Sequence, residues 1–170
     1  MNKIEKNESY YFQLKDFAIH KKFILESGLI LIDYLNKKDE DKLAFGLLKR
    51  LSIHDNSKIE DEEFYMLCQI PYNTTSFTNA NSGLNDITKK SIELHWKHNS
   101  HHPEYFKNVE DMSELDIMEM CCDWHARSQQ YKTDFLSFVK TRQENRFHFP
   151  EKMFKKIWNY CLILENKENL

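Results

Sequence analysis

The sequence predicts an all-α protein, a single-domain helical bundle that takes in residues 1–170. Along most of the chain, apolar residues recur at spacings of three, four or seven, which is the periodicity of an amphipathic helix. No run of alternating apolar and polar residues indicates a strand instead. Because 170 residues with 41% hydrophobic content can bury one sizeable core, we expect one domain.

The first two helices follow from apolar spacing and from capping residues. The first takes in about residues 9–36, contains the weak helix former Gly28, and spaces its apolar residues helically: Tyr10, Leu14, Phe17, Ile24, Leu31 and Leu35. The second begins at the acidic residues 39–41, because carboxylates offset the positive end of a helix. It ends just before Ser57, which we expect to cap a short helix with Glu60 at the capping-box position.

The middle of the chain is less regular. Residues 61–63 are acidic and are expected on a solvated helix face. Residues 70–85 contain proline, glycine and many small polar residues, which predicts a long loop. Within this loop, Tyr72 and Phe77 are candidates to stack on a ligand or to anchor the loop to the body.

Three further helices complete the predicted bundle. One occupies about residues 85–98 and has four apolar residues: Ile87, Ile92, Leu94 and Trp96. A longer helix begins at Ser113, where Asp116 completes a capping box, and is expected to continue to about residue 139. The last helix begins near Pro150, because proline suits the first turn of a helix.

Composition and charge argue against two classes of protein, those that coat nucleic acid and those that span a membrane. A formal net charge of −3 argues against an extended nucleic-acid surface, since such domains concentrate positive charge. With no N-terminal signal pattern and no apolar run that could span a bilayer, we expect a cytoplasmic protein without a membrane partner. A homo-oligomer stays open, because an apolar helix face can also pack on a second copy. The four cysteines form no spaced framework and are expected to be buried free thiols: Cys68, Cys121, Cys122 and Cys161.

Three places in the sequence carry residue types that can bind metals. The adjacent pair His54 and Asp55 offers one nitrogen and one oxygen ligand from a single point of the backbone. Upstream, His20 lies three residues after one apolar helix position and four before the next, so it faces inward. Downstream, four histidines fall within eight residues, for which a histidine-rich linker without a metal is the alternative: His95, His98, His101 and His102.

A carboxylate in the long helix completes the candidate set. Asp123 interrupts an apolar surface, where a buried charge is costly unless it is paired or coordinated. Arg127, one turn later, can either pair with Asp123 or bind an anionic substrate. Glu119, one turn earlier, shares the face of Asp123, whereas His125 lies about 200° away around the helix and is excluded.

The order of these residues, His, His-Asp, His, His and Asp, resembles the two-metal members of the HD-domain metalloenzyme superfamily. The resemblance covers about residues 20–123 and includes Lys58 of the HDNSK segment, since a lysine often follows the His-Asp pair in these proteins. The HDNSK, NSHHPEY and CDW segments also resemble an uncharacterised family of small bacterial and phage proteins. The metal-site core is then about residues 20–127, with the C-terminal helices completing the bundle.

This resemblance implies a site and a chemistry. The implied cofactors are divalent transition metal ions, two of them, drawn from Mn, Fe, Co, Ni or Zn, and Asp55 bridges them. The implied ligands are His20, His54, Asp55, His95, His101 or His102, and Asp123. His98 is then free to face the substrate, and Lys58 and Arg127 hold phosphate oxygens while a metal-activated water attacks phosphorus.

The substrate that the resemblance implies is a nucleotide or a related small phosphoester. A di-iron oxygenase on the same ligand set is the first alternative, because a minority of these two-metal proteins activate oxygen. A protein that binds a nucleotide or a partner without turnover is the second alternative.

Overall fold

The computed structural model describes residues 3–70 and 86–166, and all regular structure in these two ranges is helical. This confirms the all-α prediction. The α-helices of the described ranges are α1 Lys3–Asn36, α2 Asp41–Ile53, α3 Asp61–Leu67, α4 Asp86–His98, α5 Glu114–Tyr131, α6 Phe135–Arg142 and α7 Glu151–Leu164. Short 3-10 turns occupy Asn56–Ile59, Pro103–Tyr105 and Val109–Asp111, and a π-helical turn occupies Gln143–Phe147. Residues 71–85, which include Tyr72 and Phe77 of the predicted loop, lie outside the described residues.

The described residues divide into two compact units, which we treat separately. The first unit consists of residues 3–19, 55–70 and 86–99. The second unit consists of residues 20–54 and 100–166. That the whole chain is a single domain stays a prediction.

In the first unit, α3 packs against α4 and against the 3-10 turn Asn56–Ile59. Two contacts join the N-terminal part of α1 to this group. Ser9 Oγ donates a hydrogen bond of 2.8 Å to the carbonyl of Ile70, and the rings of Tyr10 and Phe64 stack with centroids 6.0 Å apart.

The buried face of α4 is polar, which the apolar spacing of the sequence did not indicate. Thr88 and Ser91 are buried, whereas Ile87, expected to pack, is 36% exposed. A helix that buries hydroxyl groups needs hydrogen-bonding partners for them, since an unpaired buried polar group is costly. The polar face of α4 therefore suits a site better than a hydrophobic core.

The second unit is built around α5, which packs against α2, α6 and α7. Every residue of α5 from Asp116 to Ala126 is buried, so this helix is covered on all sides rather than along one stripe. The core around it includes these fully buried residues: Ile24, Leu31, Leu35, Leu47, Leu51, Met118, Met120 and Ile157. Three buried free thiols lie in this core, Cys121, Cys122 and Cys161, and Cys68 is a buried free thiol of the first unit, as predicted.

Helix α5 begins where the sequence predicted and ends earlier. The Ser113 hydroxyl accepts from the backbone N–H of Asp116, and the Asp116 carboxylate accepts from the backbone N–H of Ser113, which confirms the capping box. The predicted continuation to about residue 139 is wrong. Lys132 adopts the left-handed conformation, with φ 56°, and ends the helix. Asp134 then caps α6 by accepting a hydrogen bond of 2.9 Å from the backbone N–H of Ser137.

The short helix after the His-Asp pair also differs from the prediction. Ser57 lies inside the 3-10 turn Asn56–Ile59, and α3 begins only after Glu60, whose side chain caps nothing. The Ser57 hydroxyl instead accepts a hydrogen bond of 2.8 Å from the amide of Asn99. Within residues 3–70 and 86–166, none of the helices combines the length and the apolar character that crossing a bilayer requires.

Candidate metal centres

The second unit brings three of the predicted metal ligands together: His20 from α1, His54 at the end of α2 and Asp123 from α5. His20 Nε2 lies 3.3 Å from His54 Nε2 and 3.0 Å from Asp123 Oδ1. His54 Nε2 lies 3.7 Å from the same oxygen. The three residues are buried, with 1%, 1% and 8% of their surface exposed. Residues far apart in the sequence therefore present three ligand atoms to one buried point.

One transition metal ion fits these three atoms. Imidazole nitrogens and carboxylate oxygens bind zinc at about 2.0–2.2 Å, so neighbouring ligand atoms lie about 3.0–3.5 Å apart. Two of the observed separations, 3.0 and 3.3 Å, fall in that range, and the third, 3.7 Å, is slightly longer. Three atoms so separated lie on a circle with a radius of about 2 Å, so a single ion can reach all of them at bonding distance. Two imidazoles and a carboxylate form a donor set that several divalent transition metals accept.

The hydrogen bond at Nδ1 of His54 determines whether the other ring nitrogen, Nε2, can bind a metal ion. His54 Nδ1 lies 2.8 Å from Glu119 Oε1. An ionised carboxylate only accepts hydrogen bonds, so Nδ1 carries the hydrogen and donates it. In a neutral ring, Nε2 then holds the lone pair, which points towards His20 and Asp123. This is the protonation state that a metal ligand needs.

The charges of the site are also those that a cation favours. Burial lowers the pKa of His20 to about 4, helped by the positive charge of Arg127, and the nearby Asp123 offsets the shift only in part. His20 is therefore neutral at neutral pH, which is the charge state in which an imidazole binds a metal. Burial alone would raise the pKa of Asp123, but its interactions with His20 and His54 hold it well below its usual range.

Glu119 belongs to a charged network on α5. Arg50, from α2, donates through Nε to Glu119 Oε2 and through Nη2 to Asp116 Oδ1, both at 2.6 Å. The Ser100 hydroxyl joins it by donating a hydrogen bond of 2.6 Å to Asp116 Oδ1. Burial would raise the pKa of Glu119, but hydrogen bonds from His101 and His54 hold it well below its usual range. Glu119 is thus ionised and fixed in place.

A second group of potential ligand atoms lies in the same unit and consists of His54, His101 and Glu119. His101 Nδ1 is 3.4 Å from Glu119 Oε1, and the rings of His54 and His101 have centroids 4.3 Å apart. The guanidinium of Arg50, 2.6 Å from Glu119, already offsets the charge of this carboxylate. His54 Nδ1 also donates its hydrogen to Glu119, so this nitrogen is not a ligand. We therefore interpret this group as one that holds His54 in place for the first.

The first unit holds the other half of the His-Asp pair. Asp55 is buried and adopts the left-handed backbone conformation, with φ 57°, which aspartate tolerates better than most residues. Its Oδ1 lies 3.3 Å from His95 Nε2, and its Oδ2 lies 2.5 Å from Lys58 Nζ. Asp55, His95 and Lys58 therefore form a second cluster of predicted site residues.

Glu63 is a member of this cluster that sequence reasoning missed. We expected residues 61–63 on a solvated face, but Glu63 is only 1% exposed, and its Oε1 lies 2.8 Å from His95 Nδ1. Burial would lower the pKa of His95, but the charge of Asp55 and hydrogen bonds with Asp55 and Glu63 raise it. A signal for Glu63 existed, because Leu67 and Ile70 follow at helical spacing and are buried.

The remaining predicted residues lie in varied surroundings. His101 is buried, and His102 is half-buried with its ring 4.2 Å from that of His101. His98 is exposed and ends α4. Arg127 is half-buried and donates a hydrogen bond of 3.2 Å to Gln130.

His125, which the sequence excluded from the site, points elsewhere. Its Nδ1 lies 2.9 Å from the hydroxyl of Ser27, and its ring packs edge-on against Phe135. Burial lowers its pKa. His125 therefore belongs to the core of the second unit.

Comparison with known proteins gives one family. The model of a family of unknown function, DUF5662, matches residues 9–162 and so spans both candidate centres. Neither the curated proteins nor the solved structures contain a match to this chain. The arrangement of the site is therefore the basis for proposing a function.

Proposed function

The chain belongs to DUF5662, a family of unknown function, and we propose that it is a metal-dependent phosphohydrolase acting on a nucleotide or a related small phosphoester. The observation that carries this proposal is the convergence of His20 Nε2, His54 Nε2 and Asp123 Oδ1, with the two imidazoles 3.3 Å apart. The order of these residues along the chain resembles HD-domain metalloenzymes. We propose accordingly that the helical fold is of the HD-domain type.

The roles of the site residues follow from their surroundings. When bound, a divalent ion lowers the pKa of a coordinated water towards neutrality and offsets charge on a phosphoryl oxygen. His20 and His54 supply imidazole nitrogens, and Asp123 supplies a negative charge. Because the three side chains are buried, solvent screens their electrostatic interactions only weakly.

Arg127 supports an anionic substrate. Its positive charge acts on the centre, since it contributes to the lowered pKa of His20. The planar guanidinium of arginine matches two oxygens of a phosphate group, which lysine cannot contact in the same way. Arg127 is therefore our candidate for orienting the phosphoester.

For the first unit, we propose Asp55 and His95 as ligands of a second ion and Lys58 as a residue that binds phosphate. The support is the separation of 3.3 Å between Asp55 Oδ1 and His95 Nε2, and of 2.5 Å between Lys58 Nζ and Asp55 Oδ2. His98, exposed at the end of α4, is a candidate contact to the substrate. That Asp55 bridges two ions stays a prediction from the ligand order.

The test begins with metal content. Protein purified without chelator or oxygen should carry bound transition metal, measured by inductively coupled plasma mass spectrometry. The variants His20→Ala and His54→Ala should lose the ion of this centre, because each removes one of three converging atoms. The matched control is His148→Asn, since His148 is exposed with φ 48° and asparagine tolerates that conformation.

The second half of the test is turnover. Wild-type protein should release phosphate, or cleave a phosphodiester, from at least one member of a panel of nucleotides and small phosphoesters, and chelation should abolish this activity. Bound metal without turnover on any such substrate would contradict the hydrolase. Absence of metal, even after reconstitution, would contradict the centre and favour a protein that binds without catalysis.

A di-iron or other iron-dependent oxygenase is the second candidate. Two histidines and one carboxylate are also the donor set of non-haem iron oxygenases. His20, His54 and Asp123 have that composition. Iron as the purified metal, with an optical spectrum that changes on exposure to air, would favour this function over hydrolysis.

A further inference from the structure

Each candidate centre contains a buried glutamate that contacts the ring nitrogen facing away from the proposed ion. In the second unit, Glu119 Oε1 lies 2.8 Å from His54 Nδ1, while His54 Nε2 faces His20 and Asp123. The exposed fraction of Glu119 is 4%. The glutamate and the proposed ion thus lie on opposite sides of one imidazole.

The same arrangement occurs in the first unit. Glu63 Oε1 lies 2.8 Å from His95 Nδ1, while His95 Nε2 faces Asp55. The amide of Asn99 also lies 3.1 Å from His95 Nδ1, but its nitrogen already donates to the carbonyl of His95 and to the hydroxyl of Ser57. Both amide hydrogens are thereby used, so the Nδ1 hydrogen of His95 is directed to Glu63.

We propose that Glu119 and Glu63 are positioning residues that set the tautomer and the ring orientation of His54 and His95. The inference rests on the proposed metal sites. By accepting the Nδ1 hydrogen, each carboxylate makes Nε2 the ring nitrogen that can bind the ion and keeps the ring from rotating. Carboxylates in this position also make an imidazole a stronger ligand.

Arg50 holds Glu119 in the orientation that this role requires. It donates to Glu119 through Nε and to Asp116 through Nη2, so its planar guanidinium joins two carboxylates of α5. The contact uses Glu119 Oε2 and leaves Oε1 for His54, at 2.8 Å, and for His101, at 3.4 Å. Arg50 therefore determines which oxygen of Glu119 faces the imidazole.

This geometry makes the variant Glu119→Gln informative. Arg50 can only donate, so it will bind the oxygen of the glutamine and turn the amide NH₂ towards His54. His54 Nδ1 must then accept, which moves the ring hydrogen to Nε2 and blocks the ligand position. We expect the affinity for metal to fall about 10- to 100-fold, the usual cost of removing such a partner.

The experiment measures two quantities. Nitrogen NMR of the imidazole rings in the metal-free protein should report His54 as the Nδ1–H tautomer in wild type and as mainly Nε2–H in Glu119→Gln. Isothermal titration calorimetry with Zn²⁺ or Mn²⁺ should give the dissociation constants of wild type and variant, and so the loss of affinity. Glu63→Gln should weaken metal binding as well, with the change in ring nitrogen shifts confined to His95.

A matched control separates positioning from stability. Glu114 also lies on α5 and is half-buried, but it bonds Tyr160 and Lys156 rather than a ligand. Glu114→Gln should lower the unfolding temperature without changing the tautomer of His54 or the affinity for metal. If Glu119→Gln does not fold, Arg50→Lys serves instead. Lysine retains the charge but cannot hold Glu119 and Asp116 together, so mixed tautomers and weaker metal binding are expected.

The outcomes distinguish this inference from the proposed function. Metal binding in Glu119→Gln that equals wild type, with the His54 tautomer unchanged, would overturn the positioning role while leaving the centre intact. Wild-type protein that takes up no metal would overturn the proposed function, and the ring nitrogen shifts would still show whether Glu119 sets the tautomer.

Discussion

At the scale of residues, three carboxylates on one face of α5 place buried negative charge in the second unit. Asp116, Glu119 and Asp123 are spaced by three and four positions and are all buried. Each is paired with cations, imidazoles or hydroxyl groups, as a buried charge requires. One stripe of α5 thus contains Asp116 of the capping box, Glu119, which contacts His54, and the candidate ligand Asp123.

Asp116→Asn should destabilise the protein in a pH-dependent way. Burial would raise the pKa of Asp116, but hydrogen bonds from Ser100 and Ser113 and the charge of Arg50 lower it below its usual range. A lowered folded pKa means that the ionised group stabilises the fold above about pH 4 and that this contribution is lost as pH falls further. The substitution should lower the free energy of unfolding at pH 7 by about 1.5–3 kcal/mol, the usual worth of hydrogen bonds to a charged group.

Urea denaturation followed by circular dichroism measures this loss. The difference between wild type and Asp116→Asn should shrink as pH falls below about 4. The exposed carboxylate of Asp111 gives the control variant Asp111→Asn, for which little change is expected. A difference that stays constant down to pH 3 would show that ionisation of Asp116 is not what stabilises the fold.

At the scale of elements, the approach of α1 to α2 depends on a missing side chain. A Cβ built on Gly28 would lie 2.0 Å from Leu51 Cδ1, and Leu51 is fully buried and cannot move aside. Leu51 belongs to the last turn of α2, three residues before His54. The close approach of Leu51 therefore explains why α1 contains Gly28, a weak helix former.

Gly28→Ala should destabilise the protein although alanine is the better helix former. Overpacking costs about 1–3 kcal/mol, against a gain of about 1 kcal/mol from helix propensity. Gly46→Ala, in α2, is the comparison, since its Cβ would meet half-buried Leu115 Cδ1 at 3.1 Å and that side chain has room to shift. Thermal unfolding should place Gly28→Ala below wild type and Gly46→Ala at or above it. The opposite order would refute the packing explanation.

At the scale of the whole molecule, the proposed ion should act as part of the fold. His20, His54 and Asp123 come from three different helices, so an ion that binds all three ties α1, α2 and α5 together within the second unit. A ligand that binds only the folded state stabilises that state by an amount that depends on its concentration relative to the dissociation constant.

Adding metal to chelator-treated protein should raise the unfolding temperature. At a metal concentration of 100 times the dissociation constant, the gain in unfolding free energy is about 2.7 kcal/mol. The shift should disappear in His54→Ala and persist in His148→Asn, as measured by differential scanning fluorimetry. A full shift in His54→Ala would mean that the stabilising ion binds at another place.

Much of this molecule is predictable from short stretches of sequence. The helical periodicity, the capping box of Ser113 and Asp116 and the buried free cysteines depend on neighbours within a few positions. The residue types that bind metals are equally visible, and so was the inward position of His20. Local spacing failed where the chain leaves a helix by a left-handed residue, as Lys132 does between α5 and α6.

The sequence by itself determined that the chain is helical and which side chains are candidate ligands, because periodicity, capping and side-chain chemistry are local properties. Only the tertiary structure decided which atoms converge. The carboxylate partners of the two imidazoles, Glu119 for His54 and Glu63 for His95, lie 65 and 32 positions away along the chain. Contacts over such separations form only when helices pack, and packing therefore selects the nitrogen of each histidine that faces the proposed ion.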